Sequence, residues 1–474
     1  MKPLIIKATS FRSMEICHRR VWLDYNGDPD DRKETPQQRL LFMLGVKHEA
    51  VIHTSIGGKI KQISVPNWKK GVEKTLQLIN QGIPEIIGGH LEASWNDKIT
   101  IRGKVDRLRL YKLDGEWVYV PIEIKSYLEL KPIDLVQMNT YLWLLSHIQT
   151  ANIPGLFWLG KRINNKIPNQ LAYHFDKKLF DHKVGQMLNV LESETPSINF
   201  IDECENCSWL NKCAKEAGEN ASVAILPELR KDTLQALAEA NITTVGQIAK
   251  MSVSEMVTFR GIGQVRAKQY IANAQAWCKE TPVWMNSLSK NCYFPGIFLD
   301  LETHELQTPW SWGLYTEAQS YVVLLAPKIK AKQLVISDKG IVFFVPDVSA
   351  GWKKVAKLVE DHIIYHWGNY DAGVVKRTAP YPIEQQFLPR MIDLYKETKN
   401  IVKLPILSSS LKDVAGYLGF YWSGYTDYIS AYSDYIKWQK SPDSKTLERF
   451  CSYQIDDVKG LHHVWQWLID NAPQ

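Results

Sequence analysis

Three cysteines stand within one short stretch of this chain, Cys204, Cys207 and Cys213 in CENCSWLNKC. Thiols packed that closely share one small object, and such an object wants four ligands or a substitute. Any fold the chain adopts must bring this stretch to a further donor. The N-terminal MKPLIIKATSFRSMEICHRR has one short apolar patch and then turns polar and basic, so it does not read as a secretory leader. No apolar run approaches the ~20 residues that a membrane span needs. The expected location is the cytoplasm, where disulfides are disfavoured and clustered cysteines point to a metal or to catalysis. Cys278, Cys292 and Cys451 have no such company and read as packing residues.

At 474 residues the chain is long for one core, so two or three domains are expected. With 45% hydrophobic and 23% charged residues it has the makeup of a globular protein. Its formal charge of +6 admits an anionic partner and selects none. There is no fixed-period repeat and no low-complexity tract. Three regions follow from the patterning. Residues 1–220 begin helical and continue as KITIRGKVDRLRLYKLDGEWVYVPIEIKSY, two strand-like runs around an Asp-Gly turn. A helical pattern follows in LVQMNTYLWLLSHIQT. Residues 221–290 read as short helices with caps and turns. Residues 291–474 open on the buried-strand pattern YFPGIFLDLET and mix strands with helices. The fold class is α/β, multidomain.

The first chemical group lies on VPIEIKSY, where the pleat points Glu123 and Lys125 to one face. The preceding strand carries Asp106. Two carboxylates can hold a hard divalent cation, and a lysine beside them can orient or deprotonate a water. Alone, these residues also fit a cross-strand salt bridge. Upstream, the helical LFMLGVKHEAVIH presents His48 and Glu49. Downstream, Gln137 and Tyr141 share a helical face. In this order, Gly45-x-x-His48-Glu49, Gly103-x-x-Asp106, Glu123-x-Lys125 and Gln137-x3-Tyr141 resemble the RecB-like branch of the PD-(D/E)XK nucleases. The resemblance covers residues 1–220 and implies a restriction-endonuclease-like core. It implies a metal site of His48, Asp106 and Glu123 for Mg2+ or Mn2+, with Lys125 acting on the attacking water. It also implies that Gln137 and Tyr141 contact or brace the nucleic acid.

Some members of that branch, the CRISPR-associated RecB-like nucleases among them, carry one cysteine near the N-terminus and three after the nuclease motifs. SFRSMEICHRRVWLDY supplies Cys17, followed by Arg19 and Arg20 as candidate nucleic-acid contacts. With Cys204, Cys207 and Cys213 this resembles their 4Fe–4S arrangement. Thiolate count leaves a structural zinc open as the alternative. A bridge from Cys17 to Cys213 would tie together the ends of the domain.

In the middle region, FRGIGQVRAKQYIANA resembles the second half of a helix-hairpin-helix. Gly261 and Gly263 would let backbone N–H groups meet a phosphate, with Arg266 and Lys268 close by. A linker with a tight turn is the equal alternative.

The second chemical group begins in GIFLDLETHE, where Asp300 and Glu302 share a face of an apolar strand. Asp371 follows a strand-like run in HIIYHWGNYDAGVVKR, and Tyr453 precedes Asp457 by one helical turn. Acids gathered this way call for cations, and two divalent ions about 4 Å apart suit them. Asp456 is adjacent to Asp457, and either acid also fits a solvated helix carboxylate. The set resembles the tyrosine subtype of the ribonuclease-H-like DEDD 3′–5′ exonucleases, over about residues 293–474. Trp367 stands where that family has asparagine, which is expected to narrow the groove. Asp393 is an acid without an assigned role.

Together the resemblances imply a metal-dependent nuclease acting on DNA single strands or ends, with a second site trimming 3′ ends. The alternatives are a binding platform in which one or both folds are catalytically weak, and RNA as the substrate of the C-terminal domain.

Overall fold

The computed structural model describes residues 3–473 apart from 55–59, 114, 151, 161–168, 227–228, 230, 305–307, 317, 337–339 and 426. The turn residue Asp114 therefore lies outside the described residues. The chain divides into two compact units, residues 1–198 with 203–212, and 199–202 with 213–474. Among the described residues no helix is long and apolar enough to cross a membrane.

The first unit is built on one sheet. Its described strands are β1 (Leu4–Lys7), β2 (Ile60–Gln62), β3 (Glu85–Asn96), β4 (Ile99–Leu113), β5 (Glu116–Lys125), β6 (Gly155–Leu159) and β7 (Asn169–Tyr173). The order is β2-β3-β4-β5-β6-β7, with β1 running parallel to the start of β4. β4 and β5 form the expected antiparallel hairpin, with Arg107 opposite Ile122. Every residue of β5 from Val118 to Lys125 is buried, as in a central strand covered on both faces.

The helix Pro132–Leu145 follows. Proline suits its first turn, and Asp134 closes a capping box by accepting the Lys131 N–H at 3.2 Å. The helix buries Val136, Met138, Tyr141, Leu142, Leu144 and Leu145. Gly103 on β4 owes its identity to that packing, because a Cβ there would sit 2.8 Å from Tyr141 Cε1. Gly103→Ala is therefore expected to lower stability by about 1–3 kcal/mol in denaturant unfolding. No such reason exists at Gly45, where a Cβ would meet nothing within 4 Å.

The segment carrying Cys204 and Cys207 folds back onto the N-terminal helices. Trp209, 2% exposed, donates from Nε1 to Asp24 Oδ1 at 2.9 Å. The Lys33 N–H donates to Ser208 O at 2.9 Å, and Lys212 Nζ to Asp31 Oδ2 at 2.8 Å. Cys17 caps the helix His18–Asn26, its Sγ accepting the Arg20 N–H at 3.4 Å.

In the second unit, short helices lead into the helix Gln264–Lys279. The strand β8 (Val283–Trp284) then pairs antiparallel with β16 (Val402–Lys403). Between them lie β9 (Gly296–His304), β10 (Thr308–Tyr315), β11 (Ser320–Leu325), β12 (Gln333–Ile336), β13 (Gly340–Val345), β14 (Ile363–His366) and β15 (Met391–Asp393). These seven make a sheet of order β12-β13-β11-β10-β9-β14-β15. Alternate residues of β11 enter different cores. Val322 and Leu324 join Tyr435, Phe450 and Tyr453, whereas Val323 joins Trp312, Trp352 and Val355. Helices thus cover both faces, and the last of them, Ser444–Asn471, lies along β9 and β10. Cys292 and Cys451 are buried in this unit. Cys278 is exposed, which corrects the packing role expected of it, since it sits in the solvent-facing last turn of Gln264–Lys279.

Candidate active sites

β9 places Asp300 and Glu302 on one face, and the helix Ser444–Asn471 brings Asp457 down to them. Each offers one carboxylate oxygen within 4.8 Å of the others. Trp422 Nε1 donates to Asp457 Oδ1 at 2.7 Å, and Lys412 Nζ stands 3.8 Å from the same oxygen. Lys412 Nζ also donates to the Tyr453 hydroxyl at 3.1 Å. Gln454 Nε2 donates to Asp300 Oδ2 at 2.6 Å. That bond needs Gly313, the partner of Asp300 on β10, where a Cβ would lie 2.7 Å from Gln454 Cγ.

Burial and then repulsion from Asp457 push the Asp300 carboxyl up to about 7. Burial, followed by Asp300 and Asp457, holds Glu302 well above the usual range, and burial raises Asp457. Asp371 occupies the first turn of Asn369–Thr378, 3% exposed, where the helix dipole favours a carboxylate. Burial and the charge of Asp300 nevertheless push it well up. It faces Asp300 but stands outside the tight group of three. Tyr453 is buried, and its hydroxyl is raised by burial and then by Asp457 and Glu302, so it keeps its proton at neutral pH. Crowded hard oxygens that repel one another, with Lys412 offsetting part of the charge, fit Mg2+ or Mn2+.

The neighbouring acids have other partners. Asp456 Oδ2 accepts both the N–H and the hydroxyl of Ser423 at 2.7 Å, fastening a loop. Asp456→Ala is accordingly expected to cost about 1–3 kcal/mol of stability in a melting curve, whereas Asp457→Ala, which removes one of the gathered acids, should lower the affinity for a divalent cation in a calorimetric titration. Asp393, unassigned from sequence, caps the helix Leu394–Ile401 and accepts the Gly368 N–H at 2.9 Å, which holds the loop leading to Asp371.

In the first unit, Asp106 Oδ2 accepts the Ile124 N–H at 2.8 Å, and Lys125 Nζ donates to Glu123 Oε1 at 2.8 Å. Burial, then Glu123, then Glu49 push the Asp106 carboxyl well up. Glu49 is itself raised by burial and by Glu123, so the helix Pro36–Thr54 directs Glu49 at the two strand acids. Glu123 Oε2 is buried with no hydrogen-bond partner. That open oxygen, faced by two more carboxylates, fits a divalent cation. His48 is half-buried on the same helix, and His48, Asp106 and Glu123 are not drawn within 4.8 Å of one another.

Gln137 and Tyr141 are buried. Gln137 Nε2 donates to the Tyr141 hydroxyl at 2.7 Å, which donates to Lys104 O at 2.9 Å, so the pair braces β4 from behind. In the first unit two residues escape sequence reading. Asp134, fully buried, accepts from the Tyr127 hydroxyl and stands 3.7 Å from Lys125 Nζ and 3.5 Å from Arg12 Nη2. Nothing in the sequence marks either Asp134 or Arg12. Arg12, Arg20, Arg32 and Lys131 line a broad cleft. Arg19 is 5% exposed, and its Nη1 donates to Pro196 O at 2.5 Å, a position inside the fold rather than at a phosphate.

Cys17, Cys204, Cys207 and Cys213 are all half-buried thiols, Cys213 in the helix Leu210–Glu219. Burial raises the Cys207 thiol, opposed by the Trp209 backbone and by Arg20, while Cys17 adds to the rise. In the helical segment, Gly261 has φ +83°, the left-handed turn that favours glycine, and Gly263 caps Gln264–Lys279. Arg266 and Lys268 are exposed on its first turns.

No curated protein matches the chain. Residues 297–469 match the family model of the RNase_H superfamily. The C-terminal part is therefore an RNase-H-like domain, a fold that generally serves metal-dependent hydrolysis of nucleic acids, and its acidic group is Asp300, Glu302 and Asp457.

Proposed function

We propose that the protein is a metal-dependent nuclease that cuts DNA single strands or ends and trims 3′ ends at its second site. The observation that carries this reading is the group of Asp300, Glu302 and Asp457, with Asp371 and Tyr453 beside it, in an RNase-H-like domain. Asp300, Glu302, Asp371 and Asp457 would hold Mg2+ or Mn2+, which supplies a water of lowered pKa and a counter-charge for the leaving oxygen. Tyr453 keeps a proton with which to orient the attacking water. Lys412 steadies Tyr453 and Asp457, and Gln454 fixes the carboxyl of Asp300. Hydrolysis would leave 5′-phosphate and 3′-hydroxyl ends.

In this reading residues 1–220 are a RecB-like PD-(D/E)XK domain, 221–290 a helix-hairpin-helix-like segment and 291–474 the exonuclease domain. Asp106 and Glu123, joined by Glu49 and with His48 on the adjoining helix, would hold the first site's cation. Lys125, steadied by Glu123 and Asp134, would act on the water. By the resemblance, Cys17, Cys204, Cys207 and Cys213 would ligate a 4Fe–4S cluster, with zinc as the alternative. A second reading makes the first unit a DNA-holding platform. It is favoured by the spacing of His48, Asp106 and Glu123, which are not gathered as the second unit's acids are.

The test is cleavage of end-labelled single strands, DNA and RNA side by side, with Mn2+ or Mg2+. Asp300→Ala should abolish shortening from the 3′ end, and Asp106→Ala should remove the remaining cuts. If Asp106→Ala changes nothing while Asp300→Ala removes all cleavage, the first unit is the platform. Intact strands with the unaltered protein would sink the enzyme reading.

A further inference from the structure

A pocket in the second unit lies between the helix Gln264–Lys279 and the RNase-H-like domain. Arg266 and Tyr270 come from that helix, Trp367 from the loop after β14, Tyr395 and Lys399 from the helix Leu394–Ile401, and Lys403 from β16. Three of these are cations, three are aromatic rings, and none of the pocket's lining side chains is acidic. Flat faces beside cations suit one kind of ligand, a nucleotide that offers a base to the rings and a phosphate to the charges.

The walls are held in place. The β8–β16 pairing fastens the end of the helical segment to the domain, and Trp284 stacks on Trp467 at 5.2 Å and 14°. Trp367 Nε1 donates to Ser409 O at 3.2 Å, and its ring meets that of Tyr395 edge-on at 5.8 Å. Lys399 Nζ sits 5.6 Å from the Tyr395 ring centre. The Trp367–Ser409 bond joins two loops that continue directly into the acidic site, one to Asp371 and the other to Lys412. A strand seated in the pocket would thus be one loop away from the carboxylates.

We infer that the open rim of this pocket, whose cavity of about 60 Å³ is too small to enclose a nucleotide, binds one nucleotide of a single strand, its base against Trp367 and Tyr395 and its phosphate on Arg266 and Lys399. The helical segment then belongs to the substrate grip of the second site. Trp367, the departure from the exonuclease pattern, becomes a base-stacking wall. The inference rests on the nuclease reading for its meaning, but strand binding can be measured without catalysis.

The experiment is fluorescence anisotropy of a labelled eight-nucleotide DNA strand with EDTA present, for the unaltered protein, Arg266→Ala and Tyr395→Ala. Each substitution is expected to weaken binding about tenfold, and Arg266→Ala to reduce the slope of log affinity against log salt by about 1. A strand carrying 5-iodouracil, irradiated with the unaltered protein, should crosslink to Trp367 or Tyr395; this arm needs no variant to fold. Unchanged affinities, or crosslinks confined to other residues, overturn the pocket and leave the nuclease reading standing. Weakened binding by both variants, in a protein that cuts nothing with Mn2+, sustains the pocket and removes the nuclease reading. A protein that binds no strand loses both.

Discussion

Asp300→Asn is expected to abolish 3′ shortening and, in the metal-free protein above about pH 7, to make the second unit more stable. The two effects share one cause. Asp300 is buried and faces the charge of Asp457, and these hold its carboxyl at about 7 against an ordinary 3.8. Between those values the folded chain binds more protons than the unfolded one. Metal-free stability therefore falls as pH rises through that window, and the loss is complete above about 7. Asparagine carries no charge to confine, so its profile should be flatter, with a gain of about 1–4 kcal/mol at pH 8. The measurement is unfolding in EDTA from pH 4 to 8. Mg2+ or Mn2+ should raise the melting point of the unaltered protein and leave that of Asp300→Asn nearly unmoved. A variant less stable than its parent at pH 8 would show that the acids are not in conflict.

Cys17→Ala should act on the first unit and leave the second unit's acidic group alone. The segment around Cys204 and Cys207 already returns to the N-terminal helices through Trp209, Ser208 and Lys212. A metal or cluster held there would bind the folded state and not the unfolded one, a contribution on the order of 10 kcal/mol for a structural site. The unaltered protein is expected to be brown, with absorbance near ~400 nm and iron matched by labile sulfide. The variant should lose colour and iron together, along with the first unit's melting transition. A colourless anaerobic preparation with stoichiometric zinc would replace the cluster and keep the clasp. No metal at all, and an unchanged melt, would remove it.

Much of the fold was legible because it follows local periodicity. The pleat alone places Glu123 beside Lys125 and Asp300 beside Glu302, and helical spacing sets Tyr453 one turn before Asp457. What stayed hidden depends on which distant side chain arrives. Nothing in the sequence marks Lys412 as the cation between Tyr453 and Asp457, or Gln454 as the donor to Asp300. The Tyr453 spacing singled out Asp457 from its neighbour, but not that Ser423 would hold Asp456 and Trp422 would hold Asp457. In the first unit the pattern showed Glu49 next to His48, but only the packing of Pro36–Thr54 turns Glu49 toward Asp106 and Glu123. Gln137 and Tyr141 were expected to contact or brace the nucleic acid; the spacing did not show that both would be buried, with the Tyr141 hydroxyl donating to the β4 backbone at Lys104.

The two carboxylate sites also differ in when they can exist. Asp106 and Glu123 stand on adjacent strands of one hairpin, so they meet as soon as that local contact closes. Asp300 lies on the first strand of its sheet, and Asp457 on the last helix of the domain. During synthesis the first pair can form while most of the chain is still unmade. The second must wait until the helix Ser444–Asn471 has left the ribosome and docked on β9. A nascent chain would thus carry the second unit's acidic group incomplete, unable to gather a cation, long after the first pair has closed.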